Sequence, residues 1–236
     1  MNEKERAEQI LNLLINDFGI PELPSSGREP FQTLIRTVLS QATNDKNRDR
    51  AYANLAMKYR IDPEELAEAD VEEIQQAIRV GGLYRNKAWK IKELSRTILK
   101  RFGGSLDFLH SLPLETSRDL LMSLPGVGPK TAAIVLLFTA KKPTLPVDTH
   151  VYRVSRRLAL APLRSSYEGV RSALESIYAP DCYLTLHLLL ISLGRRYCKA
   201  RNPLHESCPL NSVCPIAQKE ALQPDLHQMH GSRNYP

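Results

Sequence analysis

Apolar residues in this sequence recur every three or four positions wherever a pattern can be counted, which is the period of an amphipathic α-helix. One apolar stripe lies within 31–39 and a second within 88–102. Helix start signals agree with this period, because Asp62 precedes a proline suited to the first helical turn and Asp70 begins a similar arrangement. The sequence shows no alternating strand pattern. It therefore predicts an all-α fold of roughly ten helices.

The apolar runs of the chain are short. The longest, 132–138 and 188–191, fall well below the ~18 residues that a membrane-spanning helix needs, and Met1 begins no apolar signal region. The run 132–138 is compatible with a buried strand, although the signals that precede it favour a buried helix. We expect a cytoplasmic protein with no membrane partner, and its 236 residues are enough for one large domain or two small ones.

Charge is unevenly distributed along the chain. The formal net charge is +6, with seven acidic and no basic residues in 62–78 and seven basic residues in 85–101. A basic face would favour a polyanionic partner, whereas each run taken alone also fits an ordinary solvated helix face.

Residues 124–132 read Leu-Pro-Gly-Val-Gly-Pro-Lys-Thr-Ala, and they follow a predicted helix over 117–123 and begin another. Gly126 and Gly128 allow a hairpin whose backbone N–H groups point outward, and the next proline suits the first turn of the following helix. Such a helix N-terminus can bind phosphate without any side chain. The plainer alternative is a tight helix–helix turn with an exposed lysine at position 130.

Residues 145–151 place Asp148 at the N-cap of a predicted helix that runs to about Leu158. Alone, Asp148 is merely a cap. Lys130, however, lies in the first turn of its helix, where the helix dipole and desolvation would favour a neutral, nucleophilic amine. An amine that attacks a sugar C1′ forms a Schiff base, and a nearby carboxylate stabilises the charge that develops as the base leaves. Lys130 and Asp148 are therefore a candidate nucleophile and its electrostatic partner.

Four segments together resemble, in order, the motifs of the endonuclease III family of DNA glycosylases. Besides 124–132 and 147–150, residues 39–45 resemble the family's gap-filling loop and residues 82–88 its wedge loop. The resemblance covers about residues 1 to 218. It implies a six-helix barrel domain over 22–142 and a second helical domain made of 1–21 plus 143–218, with DNA in the cleft between them.

The resemblance also implies individual roles. Lys130 would be the Schiff-base nucleophile and Asp148 its acidic partner, while Gly126 and Gly128 would bind phosphate. Leu83 and Gln41 would fill the hole that an extruded base leaves; a core position is the alternative for Leu83. That leucine follows Gly82 after the preceding helix has ended, which favours an exposed side chain. An apolar wedge and an amide able to pair with the orphaned base both lower the cost of extrusion.

The C-terminal cysteines resemble the family's iron–sulfur loop with one departure. The family spacing is C-x6-C-x2-C-x5-C, and this chain has Cys198, His205, Cys208 and Cys214 at those positions. Because imidazole can replace thiolate on iron, we expect a [4Fe–4S] cluster with three Cys and one His ligand. The same donor set also suits structural zinc, and a labile or absent cluster is the third possibility. Cys182 is interpreted as a buried apolar residue.

The predicted activity is excision of damaged, oxidised pyrimidines from double-stranded DNA, followed by β-elimination at the abasic site. The enzymatic alternative is a monofunctional mismatch glycosylase acting on adenine, thymine or uracil, although such hydrolysis needs no amine at Lys130. The non-enzymatic alternative is a helix-hairpin-helix DNA-binding module. We expect a monomer, with Lys199 and Arg201 against the DNA backbone. Residues 219–236, with His227 and His230, are expected to be a solvated tail.

Overall fold

A computed structural model describes residues 2–22 and 29–222 of the chain, so most of the predicted tail, including His227 and His230, lies outside the described residues. Within the described part, all regular structure is helical and no strand occurs, which confirms the all-α prediction. Thirteen α-helices and three 3-10 helices are present, more than the expected ten, because several connections contain a short helix.

The chain divides into two compact units, one formed by Pro24–Pro146 and the other by Met1–Leu23 with Val147–Pro236. For the contiguous unit, the resemblance implies limits at about 22 and 142. We call these the contiguous unit and the two-segment unit.

The contiguous unit contains eight α-helices among its described residues, where the resemblance implies six. Two of the eight are no longer than six residues. The helices are α2 Pro30–Ser40, α3 Asp45–Lys58, α4 Pro63–Glu68, α5 Val71–Ile78, α6 Tyr84–Phe102, α7 Phe108–Ser111, α8 Leu114–Met122 and α9 Pro129–Phe138, with a 3-10 helix at Arg79–Gly81.

Helix α6 packs against α2, α4 and α5 and is the centre of the contiguous unit. The predicted stripe within 88–102 supplies the buried side chains Ala88, Ile91, Leu94 and Ile98. The predicted caps are present as well: Asp62 accepts from the Glu65 amide at 2.8 Å and thereby begins α4. Residues 132–138 form a helix with buried side chains, as the sequence favours.

The two-segment unit joins both ends of the chain. Its helices are α1 Glu3–Phe18, α10 Thr149–Arg157, α11 Tyr167–Ile177, α12 Tyr183–Arg196 and α13 Pro215–Leu222, with 3-10 helices at Pro180–Cys182 and Asn211–Val213. Helix α12 packs against both α1 and α10. The hydroxyl of Tyr178 donates to the Ala7 carbonyl at 3.1 Å, which ties the C-terminal segment to α1.

Among the described residues, no single helix is long and apolar enough to cross a membrane; only α11 taken with 180–196 meets the length and composition criteria, as a pair bent by 120°.

Candidate functional site

The turn between α8 and α9 is a tight hairpin. The Val127 amide donates to the Leu124 carbonyl at 3.2 Å, and both of these side chains are buried. Gly126 has a φ of 76°, a left-handed conformation that favours glycine. Gly128 is the N-cap of α9 and offers no side chain to cap it. No described residue accepts a hydrogen bond from the Gly126 or Gly128 amide, so both donors are available to a phosphate.

Lys130 is the second residue of α9, directly beyond this hairpin. Its side chain is exposed. The expectation that the protein itself desolvates this amine is therefore wrong, because the surrounding side chains leave it in water. A bound nucleic acid is the remaining source of desolvation.

Asp148 caps α10, as predicted. One carboxylate oxygen, Oδ1, accepts from the His150 and Val151 amides, both at 2.8 Å. The side chain is half-buried, and the helix it begins ends at Arg157, one residue before the expected limit. Because one oxygen satisfies two orphan amides, the carboxylate is held in a fixed orientation. Lys130 and Asp148 belong to different units, so their joint action stays a prediction.

The two predicted gap-filling residues both lie in the contiguous unit. Leu83 immediately precedes α6, has a φ of 48° and is 58% exposed, which confirms its expected exposure. Gln41 is the C-cap residue directly after α2 and is half-buried, and its Oε1 lies 3.4 Å from the Lys90 ammonium. A lysine can only donate, so the amide oxygen faces Lys90 and the NH2 group remains available to another partner.

Two lysines of α6, Lys87 and Lys90, lie within the basic run 85–101 and make specific contacts that the run itself does not predict. Lys87 is only 2% exposed, and its ammonium donates to the Leu39 carbonyl at 2.9 Å and the Gly81 carbonyl at 2.8 Å. Burial, aided by the nearby Lys90 charge, lowers the pKa of Lys87. A signal was present, because Lys87 lies four residues before Ile91 and therefore on the buried stripe.

Lys90 also lies next to the hairpin. A Cβ atom added to Gly126 would sit 3.4 Å from Cδ of Lys90, so the lysine stem packs against the bare glycine backbone. The same side chain reaches Gln41. The predicted phosphate-binding hairpin and the predicted gap-filling loop are thus linked through one side chain of α6.

The predicted metal ligands come together in the two-segment unit. Cys198, His205, Cys208 and Cys214 line one cavity. Burial and the neighbouring thiols of Cys198 and Cys214 raise the pKa of Cys208 to about 11, so its ligating thiolate form needs a cation nearby. No three His, Cys, Asp or Glu side chains of the described residues are grouped to hold one metal ion. Three sulfurs and one imidazole around a cavity suit an iron–sulfur cluster, whose iron atoms each take a separate protein ligand.

Two arginines of α10 bind the start of this loop. Arg153 donates to the Cys198 carbonyl at 3.0 Å and to the Gly194 carbonyl at 3.0 Å. Arg157 donates to the Cys198 sulfur at 3.4 Å and to the Lys199 carbonyl at 2.6 Å. The helix that Asp148 begins is therefore anchored at its C-terminal end to the predicted ligand loop.

Three further residues singled out in the sequence, Lys199, Arg201 and Cys182, lie at or near the surface of this unit. Lys199 and Arg201 are exposed and directly follow the first ligand. Cys182 is half-buried rather than buried, because the 3-10 helix that it ends lies partly at the surface. Its thiol donates to the Ala179 carbonyl at 2.9 Å, and it does not line the cavity of the four predicted ligands.

Comparison with known protein families gives one match for residues 35–180 and a second for the predicted ligand loop. Residues 35–180 match the model of the HhH-GPD superfamily of base excision DNA repair proteins, and residues 198–214 match the iron–sulfur binding domain of endonuclease III. Endonuclease III of Thermotoga maritima is 41% identical over 191 residues, covering 81% of this chain and 85% of that protein. Endonuclease III of Escherichia coli is 33% identical over 219 residues, covering 93% and 99%.

Solved structures give the same result. A trapped endonuclease III–DNA covalent intermediate, in an estranged-adenine complex, matches with a TM-score of 0.80 and 34% identity, covering 94% of this chain and 100% of that one. A non-covalent endonuclease III–DNA complex matches with the same values. A thermostable thymine-DNA glycosylase, at 23% identity and a TM-score of 0.73, shares the fold.

Proposed function

Because this chain belongs to the endonuclease III family of base excision DNA repair proteins, we propose that it excises oxidised pyrimidines and then cleaves the abasic strand by β-elimination. It is a DNA glycosylase and lyase that contains an iron–sulfur binding domain, and DNA is its partner. Its substrate is double-stranded DNA with a damaged base or an abasic site. It acts on that DNA as a cytoplasmic monomer.

The position of Lys130 carries this proposal. An exposed primary amine lies two residues beyond Gly128, whose amide has no acceptor among the described residues. A phosphate bound at this hairpin brings the sugar of a neighbouring nucleotide within reach of the amine. A module that only binds DNA needs the amides but has no use for a nucleophile there.

The reaction assigns each group a step. The free amine of Lys130 forms a bond to C1′ while the bond from C1′ to the base breaks, and the base leaves with the electron pair and takes up a proton. The carboxylate of Asp148 stabilises the positive charge that develops on the sugar. The bound amine then loses a proton, and the bond from C1′ to the ring oxygen O4′ breaks with uptake of a proton by O4′, which gives the protonated Schiff base. This Schiff base loses a proton from C2′, the 3′ phosphate leaves with the electron pair of its bond to C3′, and hydrolysis with water frees Lys130.

The base must leave the duplex before this chemistry. Leu83, exposed ahead of α6, enters the stack in its place, and the free NH2 of Gln41 pairs with the orphaned base on the other strand. The apolar side chain replaces part of the lost stacking, and the amide replaces part of the lost pairing.

The ligands of the [4Fe–4S] cluster are Cys198, His205, Cys208 and Cys214. Their shared cavity, and the match of residues 198–214 to the iron–sulfur binding domain of endonuclease III, support this assignment over zinc. A bound cluster orders the surrounding loop, because metal-binding energy is part of local folding energy. The exposed Lys199 and Arg201 are thereby held for contact with phosphates.

The decisive experiment is borohydride trapping of the Schiff base. Wild-type protein should form a covalent adduct with duplex DNA that carries an abasic site or thymine glycol, and Lys130→Gln should form none while it still binds DNA. Lys141→Gln, which alters an exposed lysine beyond the other end of α9, is the matched control and should trap normally. Trapping that survives in Lys130→Gln would exclude this nucleophile, and excision without any adduct in the wild type would indicate a monofunctional glycosylase.

A further inference from the structure

The buried ammonium of Lys87 connects the ends of two separate elements. Leu39 is the penultimate residue of α2, and Gly81 ends the 3-10 helix that follows α5. Carbonyls at helix ends lack the amide partner that a continuing helix would supply. Lys87 donates to both carbonyls from a single side chain, and a cation is favourable at these C-terminal ends.

The residues just beyond these two carbonyls are those predicted to enter the DNA. Gln41 follows Leu39 by two positions, and Leu83 follows Gly81 by two. The two loops also approach each other directly, because a Cβ on Gly82 would lie 3.9 Å from the Ala42 carbonyl oxygen.

Both loops contain a residue in an unfavourable conformation. Ala42 has a φ of 51° and Leu83 a φ of 48°, a region that residues with a side chain rarely adopt. Such conformations persist only where surrounding contacts hold them. The buried hydrogen bonds of Lys87 are contacts of this kind, and they lie within two residues of each predicted gap-filling side chain.

We propose that Lys87 is a positioning residue that sets the spacing between Gln41 and Leu83, so that both enter the duplex together when a base is extruded. This inference rests on the proposed function. Lys87 touches neither the substrate nor the reacting atoms and acts through the two loops. Loss of the ammonium frees both carbonyls and lets each loop move independently.

The first test is Lys87→Met, which removes the ammonium and keeps most of the apolar stem. Excision of thymine glycol from duplex DNA should fall on the order of 10- to 100-fold, the effect of a displaced catalytic geometry. Cleavage and borohydride trapping at a preformed abasic site should fall much less, because little stacking has to be broken there. Strong trapping in the variant shows that the lyase chemistry is intact, so failure of this inference is separable from failure of the proposed function.

The matched control is Lys92→Met. Lys92 lies on the same helix, is half-buried and donates to the Ala69 carbonyl at 2.7 Å; Ala69 belongs to neither loop. The Lys92→Met protein should lose thermal stability without any change in the ratio of excision to abasic cleavage. If the ratio changed equally in both variants, Lys87 would only stabilise the fold and would not position the two loops.

A double-mutant cycle gives the sharper readout. If Lys87 acts through the wedge, Lys87→Met should have little further effect on duplex excision in a Leu83→Ala background. Additive losses would overturn the proposal. Fluorescence of 2-aminopurine opposite the lesion should also report less unstacking with Lys87→Met than with wild type, and an unchanged signal contradicts the role.

If Lys87→Met does not fold, Gly81→Ala provides the same test. An added methyl would lie 3.1 Å from Cβ of Ala51, so Ala51 or the backbone at Gly81 must give by a few tenths of an ångström. We expect this strain to disturb the carbonyl that Lys87 binds. The ratio of excision to abasic cleavage should fall with this variant as well. A folded Gly81→Ala protein with wild-type ratio and wild-type 2-aminopurine signal would contradict the proposal.

Discussion

Asp148 combines two roles at the scale of a single residue. Its Oδ1 caps α10 through the amides of His150 and Val151, and its charge is the electrostatic partner proposed for the sugar. The roles are separable, because asparagine is as good a cap as aspartate but carries no charge. Substitutions of Asp148 can therefore test helix capping and electrostatic stabilisation separately.

We predict that Asp148→Asn retains nearly all of the free energy of unfolding and loses excision, by the ~2 to 4 kcal/mol typical of one preorganised electrostatic group. Asp148→Ala should lose as much activity and, in addition, about 1 kcal/mol of stability with the cap. Single-turnover excision and thermal unfolding measure the two effects. Equal excision by Asp148→Asn and wild type would leave Asp148 as a cap only.

Single residues were predictable where local backbone signals set their environment. Leu83 is exposed because a glycine precedes it after a helix has ended, and Asp148 caps because it directly precedes the apolar pattern of α10. The position of Lys87 on the buried stripe of α6 could be read from the sequence, but its hydrogen bonds could not, since only tertiary packing brings the carbonyls of Leu39 and Gly81 to it. The exposure of Lys130 depends in the same way on what surrounds α9.

The hairpin that begins α9 contains two glycines with different requirements. Gly126 needs its left-handed φ of 76° and packs against Lys90, whereas Gly128 has a φ of −99° and nothing within 4 Å of an added Cβ. The first glycine therefore serves the shape of the hairpin. The second leaves space for an approaching phosphate.

Gly126→Ala should cost about 1 kcal/mol of stability, the strain of a left-handed alanine, and should weaken DNA binding because the hairpin shifts. Gly128→Ala should keep wild-type stability and weaken DNA binding only through its methyl group. Thermal unfolding and titration with abasic-analogue duplex separate the two cases. A Gly128→Ala protein less stable than Gly126→Ala would contradict this division.

The ligand loop yields a prediction about metal content. Wild-type protein should be brown, absorb at about 400 nm and contain iron rather than zinc. His205→Cys should keep the cluster, whereas His205→Ala should leave one iron without a protein ligand and make the cluster sensitive to air. DNA affinity and its salt dependence should fall in His205→Ala, while trapping at Lys130 persists at high protein concentration.

Metal analysis and absorbance during exposure to air measure this loss directly. Zinc in the wild type, or a cluster undiminished in His205→Ala, would show that the ligand assignment is wrong.

Elements were predictable to the extent that they carry their own signals. Helices α4 and α5 begin directly after Asp62 and Asp70, the two aspartates that the sequence marks as helix starts. Helix α8 begins at Leu114, three residues before its expected start, because Pro113 serves as its N-cap without a side-chain hydrogen bond to mark it. Short helices such as α7, with four residues, have too few positions to show a period.

At the scale of the molecule, acid should weaken the two-segment unit through His150. Burial lowers the pKa of His150, and the Arg153 and Arg195 charges lower it further against the opposing effect of Asp148 and the Gly194 backbone. A guanidinium nitrogen of Arg153 lies 3.1 Å from Nδ1, which can accept that donor only while it is unprotonated.

The unfolded chain binds a proton to this histidine at a higher pH than the folded chain does. Stability is therefore lost as pH falls below about 6.5 towards the lowered pKa. We expect the unfolding temperature of wild type to fall more steeply over this interval than that of His150→Gln, which cannot titrate. Parallel pH profiles for the two proteins would exclude His150 as the source.

The two-segment unit also has a consequence for the order of synthesis. The contiguous unit ends at Pro146. Once this residue has left the ribosome, every helix of the unit is available to pack against the others. Helix α1 precedes the contiguous unit in the sequence, but it packs against α11 and α12 and must wait until residues 167–196 have been translated. The four predicted ligands are made later still, so a truncated chain can hold the hairpin and the lysine of α9 but lacks a complete cluster-binding unit. Insertion of the proposed cluster therefore follows translation of Cys214, after the contiguous unit is complete.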